Sequence, residues 1–109
     1  MEQTSDNKLA IDFGFLGSDN ERFNALLDEI READRAGEKF NTVQVQELVH
    51  RVIRITDRYP VIGEIAEEAF IYLLTGGGYV GNARRVAPFL QPRTLRQMIE
   101  MGKHENRRY

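Results

Sequence analysis

Three glycines in the run TGGGYVGNARR, at positions 76, 78 and 81, spell G-x-G-x-x-G behind the apolar stretch FIYLL. That spacing can cradle a pyrophosphate. The first glycine makes a tight turn, the second admits the phosphates to the backbone, and the third lets a helix pack close while its N-terminus faces the charge. The chemistry would then be hydride transfer on a dinucleotide. It needs a strand before the glycines, a helix after them, and a second strand ending in an acid that holds the ribose.

The wording resembles the TGGxGYIG turn of the extended short-chain dehydrogenase and epimerase family, one residue shorter. Its surroundings do not supply the rest of the unit. Residues 60–74 have helical rather than strand periodicity, and only 28 residues follow Gly81, with Pro88 and Pro92 interrupting the helix that should run beneath the phosphates. The expected acid falls near Glu100, inside RTLRQMIEMG, which reads as helix. The glycines are therefore expected to end a helix and turn the chain, with Gly76 in the left-handed conformation and Tyr79 and Val80 as an apolar anchor. A phosphate loop of the GxxxxGK[ST] type is excluded because the lysine is missing.

The other reactive side chains are sparse. The chain has no cysteine, hence no disulfide framework, thiolate zinc site or cysteine nucleophile. His50 and His104 have no ligand partners at metal-binding spacing, and both read as solvated. Ser18 reads as a helix cap rather than a nucleophile. The pairs Asp28-Glu29 and Glu67-Glu68 point about 100° apart on a helix, so they do not converge as glycosidase acids do, and both pairs read as solvated faces. The sequence predicts no enzyme, no cofactor and no metal site.

The basic residues offer a different chemistry. Arg51, Arg54 and Arg58 form a row at three-and-four spacing, and Arg84, Arg85, Arg93 and Arg96 follow in the last third of the chain. Together they could contact phosphates of a nucleic acid. Against that stand a pI near 5.7, the interleaved Glu47 and Asp57, and the absence of an aromatic ladder for bases. DRYPVI also lacks the short glycine-bearing turn of a helix-turn-helix. The competing expectation is that these arginines pair with the acidic first helix. Residues 84–109 carry seven Lys/Arg against two Glu, or +5, whereas the first 83 carry eight basic and fifteen acidic side chains, or −7. This asymmetry suits a charged partner or a tail docked on its own body.

The elements that must position these residues are helical. At 109 residues, with 41% hydrophobic and 29% charged side chains, the chain fits one small folded domain. The expected fold is all-α, an irregular bundle of four to five helices over residues 18–102, with an extended N-terminal arm over 1–17 and a basic tail over 103–109. In the arm, Leu9, Ile11, Phe13 and Phe15 alternate with small or polar residues and have no second strand to pair with, so the arm lies on its own helices or on another molecule. Ser18 and Glu21 form the S-x-x-E of a capping box ahead of Phe23, Leu26, Leu27, Ile30 and Ala33, with Gly37 as the stop. Asn41 or Thr42 caps a second helix to about Tyr59. Its stripe is Val45, Leu48, Val49, Val52, Ile53, Thr56 and Tyr59. Pro60 starts a third, Asn82 a short helix or turn, and Pro92 a last helix ending near Gly102.

The third helix, residues 60–75, is apolar around most of its girth and leaves only Glu64, Glu67 and Glu68 as a polar strip. A helix so widely apolar is either the central element of the domain or half of an oligomer interface, and the second reading points to function by association. Phe13, Phe15, Phe70, Ile71, Leu74 and Tyr79 are the residues expected to meet a protein partner, a second copy in a homo-oligomer (dimer) among them. The expected function is a small cytoplasmic interaction module that regulates or antagonises a larger bacterial protein such as a transcription factor. No signal segment or spanning helix is predicted.

Overall fold

A computed structural model describes residues 11–75 and 91–106 of the chain. Among them the fold is all-helical. The four helices are α1 (Asp19–Arg35), α2 (Thr42–Thr56), α3 (Ile62–Leu74) and α4 (Pro92–Asn106). The glycine run from residue 76, the expected turn at Asn82, and Tyr79, Arg84 and Arg85 lie outside the described residues. What precedes the glycines is α3, a helix and not the strand a dinucleotide cradle requires.

The helix ends follow local chemistry, with one exchange of roles. Ser18 precedes α1 but makes no side-chain cap, so the predicted S-x-x-E box does not form. The capping box belongs to α2. There the Asn41 side chain accepts from the Gln44 amide at 2.8 Å, and the Gln44 side chain accepts from the Asn41 amide at 2.9 Å. At the far end of α1, Gly37 takes φ +73°. The Glu38 amide then returns to the Ala33 carbonyl, and the Gly37 amide to that of Asp34. This is the double bond pattern of a Schellman stop.

Residues 1–10 of the expected arm lie outside the described residues, and residues 11–17 lie on the chain's own helices, where side chains from α1 replace a partner strand. The Asn24 side chain accepts from the Ile11 amide at 2.8 Å and donates to the Ile11 carbonyl at 2.7 Å. Asn20 accepts from the Phe13 amide, and the Tyr59 hydroxyl accepts from that of Leu16. Phe13 and Phe15 consequently enter an aromatic cluster with Phe23 and Tyr59, with ring centroids 4.5–5.8 Å apart.

The core contains Phe23, Leu26, Leu27 and Ile30 of α1, Val45, Leu48, Val49, Val52 and Ile53 of α2, Ala66, Phe70, Ile71 and Leu74 of α3, and Leu95 and Ile99 of α4. Both α2 and α3 touch the other three helices, and the α2–α4 contact is the most extensive. Two glycines allow the closest approaches. A Cβ on Gly63 would run into the Thr56 carbonyl oxygen, so the start of α3 lies directly against the end of α2. A Cβ on Gly102 would run into Ile53 Cδ1, so α4 lies close on α2. Gly102 therefore does not stop α4, as the sequence suggested. It is the point of contact with α2, and the helix continues one turn beyond it into the segment read as a tail.

Candidate functional site

The partner-binding expectation requires correction for the third helix. Phe70, Ile71 and Leu74 are buried in the chain's own core, together with Phe15, while Phe13 is half-buried in the aromatic cluster. The apolar girth of α3 is covered on three sides by α1, α2 and α4. What remains open is Val61 (71% exposed) beside its first residue and Ile65 and Tyr72 (62% each) along it. These positions recur at i, i+4 and i+11 and share a face with the exposed Glu68. The signal was present in the sequence. Once Glu68 is assigned to solvent, helical spacing turns Val61, Ile65 and Tyr72 outward with it, and turns Phe70, Ile71 and Leu74 inward.

The neighbouring acid behaves oppositely. Glu67, expected on a solvated face, is only 6% exposed, and Lys103, expected in a tail, is 7% exposed. The Lys103 ammonium lies 2.7 and 3.0 Å from the two Glu67 oxygens. The Thr56 hydroxyl is 2.6 Å from Glu67 Oε2 and 3.0 Å from the Val52 carbonyl. A buried ion pair thus joins α3 to α4 beside the close approach of α3 to α2. Glu68, one residue on, points outward and receives two hydrogen bonds from Arg96 at 2.8 and 2.9 Å. Those bonds hold the Glu68 carboxyl below its usual range and push the Arg96 guanidinium up.

The arginine row divides in the structure. Arg96 and the exposed Arg93 belong to α4, with Arg96 committed to Glu68. Arg51, Arg54 and Arg58 line an open groove of about 400 Å³ between α1 and α2, joined by Arg22 of α1, with Ala25, Leu26 and Ile55 as its floor. Two of the row pair with the acidic first helix, as the competing expectation had it. Arg51 grips Glu29 through two hydrogen bonds of 2.9 and 2.6 Å, which lower the Glu29 pKa despite partial desolvation. Arg58 reaches Asp19 at 3.1 Å. The Asp19 carboxyl is lowered first by the Tyr59 hydroxyl donating at 2.7 Å, then, against desolvation, by Arg58 and Arg22. Arg54 stands between Arg51 and Arg58 and has no carboxylate partner among the described residues. The sequence reading missed Arg22, because a contribution from another helix leaves no local spacing signal.

His50 is exposed on the edge of α2, as expected, and lines an adjoining groove of about 430 Å³ with Glu29, Phe40, Glu47 and the same Arg51 and Arg54. Among the described residues no group of three or more His, Asp or Glu could hold a metal ion, and no helix is long and apolar enough to cross a membrane. Comparison with protein families, with characterised proteins and with solved structures finds no match.

Proposed function

We propose that the chain is a small non-enzymatic interaction module, a regulator or antagonist that acts by occupying a surface of a larger protein, such as a transcription factor, and that also self-associates. The observation that carries this reading is the exposed face of α3, where Val61, Ile65 and Tyr72 stand in one line above a filled core. Covering two such side chains contributes roughly 3–6 kcal/mol before the cost of association. The interleaved Glu64 and Glu68 keep the free face wettable and give a partner a polar rim.

Nucleic-acid binding is the weaker alternative. The basic residues are divided between α2 and α4, and Arg51, Arg58 and Arg96 each already hold a carboxylate. A phosphate backbone would have to share these arginines with those acids.

Sedimentation of the full chain across a concentration series, combined with capture from host lysate, tests the reading. The wild-type chain should associate with itself and retain a partner, and Ile65→Glu with Tyr72→Glu should abolish both while leaving the helical circular dichroism unchanged. A wild-type chain that stays monomeric and captures nothing sensitive to those substitutions overturns it.

A further inference from the structure

The α1–α2 groove is a second surface, on other residues than the α3 face. Its two rims differ from its floor. Around it stand four guanidinium groups, those of Arg22, Arg51, Arg54 and Arg58, and across its floor only Ala25, Leu26 and Ile55. Glu29 and Asp19 hold Arg51 and Arg58 from the α1 side. The two outer guanidinium groups are thereby ordered without being withdrawn from solvent, since both side chains remain substantially exposed. Arg54, between them, keeps all its donors available among the described residues.

We propose that this groove docks an acidic, amphipathic segment of a partner protein. One carboxylate of that segment meets Arg54 as a two-pronged pair, further carboxylates share Arg51, Arg58 and Arg22 with Glu29 and Asp19, and an apolar side chain lies over Ala25. The assignment rests on charge complementarity and on the floor. Arginine forks match planar carboxylates, and Arg51, one of the arginines of the groove, already displays that match with Glu29 beside it. A phosphate backbone would find the rims but has nothing to set on an apolar floor. No aromatic side chain lines the groove to stack a base. The inference depends on the chain being an interaction module, but not on the α3 face.

Selection of a displayed random-peptide library on the full chain provides the probe. The selected sequences should be enriched in Asp and Glu beside a bulky apolar residue. A resynthesised, fluorescently labelled peptide should bind more weakly as salt rises toward about 0.15 M. Arg54→Glu should weaken it by roughly tenfold or more, as reversal of a charge at a complementary contact does, and Arg54→Lys should retain part of the affinity. Arg54 is exposed and its side chain supports no other, so these variants should fold as the wild type does. Ala25→Glu, which places a carboxylate on the floor, should act in the same direction. Ile65→Glu should leave peptide binding unchanged, so failure at the α3 face and failure here are separable. The proposal is overturned if the selection yields no acidic enrichment or if binding ignores Arg54→Glu. It is equally overturned if a labelled single-stranded oligonucleotide binds the groove more tightly than the peptide, which would make nucleic acid the ligand.

Discussion

Two ion pairs of this chain join helices with the same kinds of side chain and face opposite environments. Arg51–Glu29 spans α1 and α2 in solvent, with both side chains about half exposed, whereas Lys103–Glu67 spans α3 and α4 inside the protein beside the Thr56 hydroxyl. The first can open and re-form with water as a substitute partner, so its net contribution is small. The second has no such substitute. Once buried, each charge depends on the other, and the pair's value lies less in its own energy than in the penalty for disrupting it. The exposed arginine edge therefore stays open to solvent, and the interior pair fixes how α4 sits on α3.

The largest effect follows from removing one partner of the interior pair. Lys103→Met leaves a carboxylate buried with only the Thr56 hydroxyl, and should destabilise the chain by about 3–5 kcal/mol. That is a large fraction of the roughly 5–15 kcal/mol that typically holds a domain together. Glu67→Leu should cost a similar amount by stranding the ammonium. The double variant should recover much of the loss, because an apolar pair of similar volume leaves no charge behind. Chemical denaturation of the four proteins forms a double-mutant cycle. Additive single losses of under about 1 kcal/mol would mean that water reaches the pair, and the contrast with Arg51–Glu29 would vanish.

The two glycines sharpen the contrast at the next level of magnitude. Gly63→Ala sets a methyl group against the Thr56 carbonyl oxygen, part of the backbone that carries the hydroxyl on Glu67. Backbone yields poorly, so a loss of about 1–3 kcal/mol is expected despite the helix preference of alanine. Gly102→Ala instead meets Ile53 Cδ1, the rotatable end of a side chain. There the gain of about 1 kcal/mol in helix propensity opposes the crowding, and the net change should be small. Ile53→Val, which removes that Cδ1, should cost about 0.5–1.5 kcal/mol alone. Combined with Gly102→Ala it should cost less than the sum. Thermal denaturation distinguishes these outcomes, and equal losses at the two glycines would contradict a backbone wall at one and a side-chain wall at the other.

These same positions show what was readable beforehand. Helical periodicity alone placed the α1 and α2 stripes, and Gly37 and Asn41 act at helix ends as their chemistry predicts. The all-helical class followed from those patterns, because they depend on neighbours within one turn. Gly102, Lys103 and Glu67 read locally as stop, tail and solvated face, and the structure gives them other roles. Their roles depend on contacts with Ile53 and with each other, 36 residues apart in the second case, and no local period encodes such a contact. The arginine groove was half legible. Arg51, Arg54 and Arg58 repeat along one helix, but Arg22 and the floor residues Ala25 and Leu26 come from another. The open face of α3 is legible through Glu68, which shares it, whereas apolar size alone singles out the buried side of the helix.

The smallest effect concerns the exposed pairs and their titration. Glu29, Glu68 and Asp19 all have folded pKa values below the ordinary 4.5 for glutamate and 3.8 for aspartate. The causes are, first, hydrogen bonds from Arg51, Arg96 and the Tyr59 hydroxyl respectively. A carboxylate lowered in the folded state contributes stability that is complete above its unfolded pKa and is lost as pH falls through the folded one. Stability should therefore be insensitive to these groups well above pH 4.5 and should decline below it. Glu29→Gln should lower stability near neutral pH by no more than about 1 kcal/mol and reduce the slope on the acid side. High salt should erase much of that difference, since the pair is open to screening. Tyr59→Phe should reduce the acid slope too, by removing the leading cause of the Asp19 shift. The interior pair supplies the control: the cost of Lys103→Met should persist in high salt, because ions that screen Arg51 from Glu29 do not enter between α3 and α4. Equal salt sensitivity of the two would show that burial does not separate them.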